Sequence, residues 1–149
     1  MWICLVSMEN LGFRYHPDSN DDYLCRDIMV ICDRKHLKGG AYSGVPRFIA
    51  ETLSPSTARR DRAEKKEIYE KAGVEEYWIV HPQGKSVEIY YLKDRCYVLE
   101  QSYILQEDAE EEDYNAETEI VLREFPHIRM TLGEIFEGLE VESELLEEK

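Results

Sequence analysis

The sequence predicts a mixed α/β or α+β domain built on one sheet. Three observations carry that expectation. Residues 27–33 (DIMVICD) form a continuous apolar run with an acid at each end, the pattern of a central strand buried on both faces. Residues 48–53 (FIAETL) form a second strand-like run. An amphipathic helix at 57–72 then separates it from a third run, Tyr77 to Val80 (YWIV). The order strand, strand, helix, strand, hairpin fits a mixed sheet with a crossover helix. A crossover between parallel strands needs a dozen or more residues, which the 57–72 helix supplies.

Along the chain, residues 2–6 (WICLV) read as a short strand, and 16–22 (HPDSNDD) as a turn or loop. After the 27–33 strand, DRKHLKGGAYSG is a basic, Gly-bearing connection. The helix takes its start from Ser56 or Thr57 as cap, with Asp61 in or near its first turn, and Gly73 follows its end. Ser86 to Leu92 and Cys96 to Tyr103 form a hairpin joined through Lys93-Asp94-Arg95. A final strand near 119–123 and a short helix from Thr131 complete one domain, residues 1–149.

The formal net charge of −14 would ordinarily oppose a nucleic-acid partner. Its distribution weakens that objection. Residues 107–119 (EDAEEEDYNAETE) carry acids and no base, and the acidic C-terminal segment, 137–149, has Lys149 as its one base. These are solvated runs. With the acidic loop and residues 134–149 set aside, acids and bases are equal in number. No apolar run reaches the ~18 residues of a membrane span, and MWICLVSM lacks the basic flank and length of a signal peptide. Cys4, Cys25, Cys32 and Cys96 form no CxxC pair, which favours free buried thiols in a reducing cytoplasm. The four histidines show no metal-ligand spacing, and there is no GxGxxG, P-loop or GxSxG.

Strand alternation puts Glu51 on the face of Ile49 and Leu53, and Asp27 on the face of Met29 and Ile31. On the helix, Ala58, Asp61, Lys65, Ile68, Tyr69 and Ala72 share one side; Arg60, Glu64, Glu67, Glu70 and Lys71 share the other. Lys65 and Asp61 thus lie in the stripe that meets the sheet, where an unpaired charge is costly. Two arrangements satisfy them. Asp61 and Lys65 can form an (i, i+4) pair at the stripe's edge, with Glu51 a satisfied strand acid. Alternatively, Asp27 and Glu51 bind a hard cation such as Mg²⁺ that Lys65 approaches from the helix. Tyr77 and Trp78 read as core. Arg59, Arg60, Arg62 and Lys66, with Arg34, Lys35 and Lys38, are the dense basic groups; Arg59, Arg62 and Lys66 are candidate phosphate contacts.

The segment AETLSPSTARRDRAEKKEIYEKAGVEEYWIVHP resembles the signature of the Uma-two family of restriction endonucleases, within the PD-(D/E)XK phosphodiesterase superfamily. The resemblance runs from about residue 25 to 136, through acid-LSPST, the DRxxK helix, AGVxEYW, the hairpin and a late LxEIF. It implies a restriction-endonuclease-like core and Mg²⁺-dependent cleavage of DNA, with Mn²⁺ a possible substitute. Asp27 matches the family's first motif aspartate, Glu51 its second acid, and Lys65 the lysine that this family carries on the following helix, Leu53 standing at the usual lysine position. Arg26 stands where members usually have Pro, and His81 where they usually have Asp. Members also carry a helix and a further acid before the core; this chain is read as starting after them, with Glu9 a weak substitute. That departure leads to the expectation of a homodimer covering the exposed surface; the alternative to a nuclease is a catalytically inactive, truncated nuclease-like domain acting as a dimeric interaction module.

Overall fold

A computed structural model describes residues 4–8, 12–14, 23–25, 28–53 and 58–137. Its centre is a six-stranded mixed sheet in the order β1-β4-β7-β8-β9-β10, formed by Leu5–Met8 (β1), Ile28–Ile31 (β4), Phe48–Thr52 (β7), Glu76–His81 (β8), Ser86–Lys93 (β9) and Cys96–Ile104 (β10). The β7 and β8 strands are parallel, and the helix Ala58–Ala72 (α1) crosses between them. The other pairings in this sheet are antiparallel.

Local chemistry accounts for the joints. Gly73, at φ 90°, follows α1, and its N–H and that of Val74 both return to the Tyr69 carbonyl at 3.1 Å. That left-handed position favours glycine. The hairpin between β9 and β10 turns through Asp94 and Arg95, both at positive φ, as a two-residue connection of this hand requires. At the far end of the chain Glu134 N–H donates to Thr131 Oγ1 (3.2 Å) and Thr131 N–H to Glu134 Oε2 (2.8 Å). This reciprocal cap opens the short helix at residues 132–137.

Two cores cover the two faces of the sheet. On one, Met29, Ile31, Ile49, Leu53, Tyr77, Ile79 and Tyr90 pack with Tyr69 of α1 and with Val74. On the other, Val30, Phe48, Ala50, Trp78, Val80, Val87 and Ile89 are covered by Leu105, Ile120, Leu122, Phe125, Leu132 and Phe136. Continuous runs of apolar residues in β4, β7 and β8 follow from burial on both faces. Glu76 is the exception on the second face. It is fully buried, and its carboxylate accepts from Trp78 Nε1 (2.9 Å), Glu124 N–H (3.0 Å) and Arg123 N–H (3.3 Å). It thereby ties the strand β8 to the segment after Glu119–Val121 (β11), whose partner is Arg129–Thr131 (β12).

Three sequence expectations are corrected. The connection after β4 is structured: Arg34–His36 forms a 3₁₀ turn, and Leu37–Lys38 (β5) and Ala41–Tyr42 (β6) pair about Gly39 and Gly40. Together with Gly12–Arg14 (β2) and Tyr23–Cys25 (β3) they make a second sheet, β3-β2-β6-β5. Strands of two or three residues leave no readable alternation, and the β2–β6 pairing joins distant segments. The strand near 119–123 ends at Val121, and its partner β12 had no sequence signal. The cysteines are not all free buried thiols. Cys4 and Cys32 form a disulfide, because the β1–β4 register that opposes Leu5 to Ile31 brings their Cα atoms to 4.1 Å. Their separation of 28 residues hid this from spacing arguments. Cys96 is free but exposed. The 16–22 turn, the caps Ser56 and Thr57, Glu9, Arg26 and residues 138–149 lie outside the described residues.

Burial pushes the Glu76 carboxyl above its ordinary 4.5, against the N–H donors that pull it down. A native pKa above the unfolded one gives stability that is complete below the unfolded value and lost as pH rises through the native value. The stability of the parent minus that of Glu76→Gln is therefore expected to shrink as pH rises above the ordinary 4.5 in urea titrations; a difference that grows with pH would contradict the burial. Reduction of Cys4–Cys32 is expected to cost about 2–4 kcal/mol in the same titrations, and non-reducing peptide mapping should recover that pair.

Candidate active site

Glu51 occupies the fourth position of β7 and points toward α1. Its neighbours across the sheet in register are Ile79 and then Glu88, so two acids, separated by one strand, share the helix-covered face. Neighbouring strands lie roughly 4.8 Å apart, which sets about 10 Å between those two positions.

Glu51 is 3% exposed. Such a carboxylate needs partners, because burial of an unpaired charge costs several kcal/mol or more. Tyr69 Oη donates to Oε1 at 2.6 Å, Tyr77 Oη donates to Oε2 at 3.2 Å, and Lys65 Nζ stands 3.5 Å from Oε1. Lys65 and Tyr69 are one helical turn apart and therefore reach the same point from α1. Tyr77 comes from the adjacent strand, with its ring edge-on to Tyr69 at 5.0 Å.

The second acid is held differently. Glu88 takes Arg62 through both its oxygens, and its Oε2 accepts from Tyr90 Oη at 3.1 Å; Arg62 also reaches Tyr90 Oη at 3.4 Å. The hydrogen bond to Tyr90 and the charge of Glu88 hold the Arg62 guanidinium above its ordinary value, with burial opposing them. Burial pushes the Tyr90 hydroxyl up as well. Lys66 Nζ lies 4.3 Å from the centroid of the Tyr90 ring, a cation–π contact.

Of the residues singled out by sequence, the fold therefore brings Lys65 to Glu51, across the crossover. Asp27 lies outside the described residues. Met29 and Ile31, with which alternation groups it, do pack on the Glu51 face. The Asp61 and Arg59 side chains are likewise outside the description, while their backbones belong to α1. Arg62 and Lys66 are engaged by Glu88 and Tyr90. Glu70, assigned to the solvated helix face, instead accepts from the Tyr97 N–H at 2.7 Å. Sequence reasoning missed Tyr69 and Tyr77 as site residues because their hydroxyls look like core Tyr until the carboxylate between them is placed; their sharing a face with Lys65 and Ile49 was the available signal. A cleft of about 270 Å³ lined by Cys32, Asp33, Tyr42, Val45 and Arg47 opens at the start of β7, away from Glu51.

A family model described as "Putative restriction endonuclease", Uma2, matches residues 2–123. The chain belongs to the Uma2 family. The match begins well before residue 25, so β1, β2 and β3 are part of it, and it ends before the LxEIF stretch. An uncharacterized Synechocystis protein, slr1290, is 29% identical over 77 residues, which cover 51% of this chain and 40% of that protein. The match thus spans less than half of that relative. The crystal structure of a protein from Anabaena variabilis, titled as a putative nuclease belonging to DUF820, superposes with a TM-score of 0.62 over 90% of this chain and 68% of that one, at 14% identity. That likeness establishes the fold: the mixed sheet and its crossover helix are those of a nuclease-like structure. No helix among the described residues is long and apolar enough to cross a membrane.

Removing one hydroxyl from the Glu51 shell leaves a buried carboxylate under-satisfied. Tyr69→Phe is expected to lower stability by about 1.5–3 kcal/mol, the range for hydrogen bonds to charged groups, and Tyr77→Phe by less because its bond is longer. Urea unfolding measures both, and equal stability of Tyr69→Phe and the parent would refute the contact.

Proposed function

We propose that this Uma2 family member hydrolyses DNA phosphodiester bonds with Mg²⁺ as cofactor and Mn²⁺ as a substitute, using Asp27, Glu51 and Lys65. The observation that carries this reading is the delivery of Lys65 from α1 to the buried Glu51 across the β7–α1–β8 crossover. Family membership supports the reaction class. Glu51 presents hard carboxylate oxygens, the donor type that Mg²⁺ takes, so the donor chemistry fits. Among the described residues no three His, Cys, Asp or Glu side chains gather into a cation site. The set would therefore be completed by Asp27, water and substrate oxygens, which is the ordinary way of binding this ion.

When bound, the ion supplies polarisation of the phosphoryl oxygen and a water of lowered pKa. The chain's own residues do the rest. Tyr69 and Tyr77 hold the two oxygens of Glu51 in a fixed orientation. Lys65 orients the attacking water, accepts or passes its proton, and neutralises charge growing on the phosphate. Arg62 and Lys66 are committed to Glu88 and Tyr90, which leaves Arg59 as the phosphate contact among the three suggested by sequence.

A second reading, a catalytically inactive interaction module, draws on one feature. Val98, Leu99 and Ile104 are exposed on β10, the strand that ends the six-stranded sheet and could pair with a second copy. Cleavage assays separate the two. With Mg²⁺ or Mn²⁺, linear, nicked or branched DNA is expected to be cut, and Glu51→Ala and Lys65→Ala are each expected to lower kcat/KM by about 10²-fold or more. Cleavage that both variants retain would assign it to another site. Absence of cleavage, absence of Mg²⁺ binding by calorimetry, and a dimer in sedimentation would establish the module.

A further inference from the structure

We infer that Glu88, through Arg62 and Tyr90, is a positioning residue that sets the roll of α1 and so decides which of two adjacent lysines meets Glu51. The inference rests on Lys65 being the functional lysine of the proposed site, but the geometry behind it does not depend on what reaction occurs there.

Besides Glu70, which meets the Tyr97 N–H on β10, α1 makes two pairs of polar contacts with the sheet, each spaced by one helical turn. Lys65 and Tyr69 go to Glu51 on β7. Arg62 and Lys66 go to Glu88 and Tyr90 on β9. The strand β8 runs between those two destinations, so the helix straddles it. A single ion pair under a helix is a pivot, about which the helix can rotate. Two sets of contacts on opposite sides of β8 remove that freedom.

The roll matters because Lys65 and Lys66 differ by only about 100° around the helix. A rotation of that size toward β7 would exchange an ordered Lys65 for Lys66, whose ammonium now rests on an aromatic ring. Glu88 controls this at two points. Both its oxygens accept from Arg62 Nη2, a charged pair that anchors this end of α1. It also accepts from the Tyr90 hydroxyl and so fixes the ring beneath Lys66. The tyrosine lattice passes this constraint to the site, since Tyr90 stacks on Tyr77 at 6.2 Å and Tyr77 donates to Glu51. None of these groups needs to touch substrate.

The test uses the full chain and a readout independent of cleavage. Competitive acetylation with trace acetic anhydride, analysed by peptide mass spectrometry at one pH, reports the accessibility of Lys65 and Lys66 separately. In the parent chain Lys65, paired with the buried Glu51, is expected to label more slowly than the exposed Lys71. Glu88→Gln keeps the shape of the side chain while removing its charge and one acceptor. It is expected to raise Lys65 labelling about threefold or more, with native circular dichroism retained. Arg62→Lys, which keeps the charge but loses the planar guanidinium that also reaches the Tyr90 hydroxyl, is expected to give a partial effect in the same direction and serves if Glu88→Gln does not fold. A folded Glu88→Gln or Arg62→Lys chain whose Lys65 labels as in the parent would overturn the inference. In the cleavage assay, Glu88→Gln is expected to lower kcat about tenfold with little change in KM. Failure of the parent to cleave DNA would sink the nuclease reading and leave the labelling result to decide this one.

Discussion

Placing the carboxylate of Glu51 inside the sheet imposes a requirement that the rest of this face meets. A buried charge must be returned its hydration in the form of donors, and β7 alone cannot provide them, since neighbouring strand side chains on that face are apolar. The donors come from the next element of the chain. The α1 helix folds back over the sheet and brings Lys65 and Tyr69 to the acid, while β8 adds Tyr77. A purely apolar stripe would have packed α1 equally well on Ile49 and Ile79. The lysine and tyrosine in that stripe exist because Glu51 is beneath it.

The contrast with Glu76 shows why one buried acid is a candidate for chemistry and the other is not. Both lie in the sheet, on opposite faces and on adjacent parallel strands. Glu76 is satisfied by the Trp78 indole N–H and by two backbone N–H groups of the segment following β11. Those donors are fixed by the fold, and the acid serves as a tie between layers. Glu51 is satisfied by side chains with hydroxyl and ammonium ends, which can re-form around water, a cation or a phosphate oxygen without moving the backbone. A polar group whose partners can rearrange is the kind that an active site uses. The acidic run at residues 107–119 follows β10 in the chain and belongs to a different connection from the one that carries Lys65.

Much of this was legible before any coordinates, for identifiable reasons. Long elements with one dominant period were readable: the two-face burial of β4 and β7, the crossover α1 closed by Gly73, and the β9–β10 hairpin turned at Lys93-Asp94-Arg95 all follow from local pattern. Glu51 and Lys65 were readable because each violates its own pattern, an acid in a strand and a lysine in a buried stripe. What escaped was whatever depends on pairing between distant segments. The β2, β3, β5 and β6 strands are too short to alternate visibly, and Cys4 meets Cys32 only through strand register. Glu76, directly before YWIV, carries no local signal of its burial, although it is among the most buried of the described residues.

The sequence by itself determined the strand–helix–strand order and the acid and lysine that stand out of pattern, because these follow from local periodicity and spacing; the family came from its resemblance to a known motif set. Tertiary structure alone decided who meets whom. It set Tyr69 and Tyr77 on Glu51, gave Arg62 and Lys66 to Glu88 and Tyr90 where phosphate contacts were expected, and turned Glu70 inward to the Tyr97 N–H. The physical reason is that a helix pattern specifies a face but not its roll. The roll of α1 is fixed only when ion pairs on both sides of β8 close at once, and that condition involves three separate elements of the chain, α1, β7 and β9.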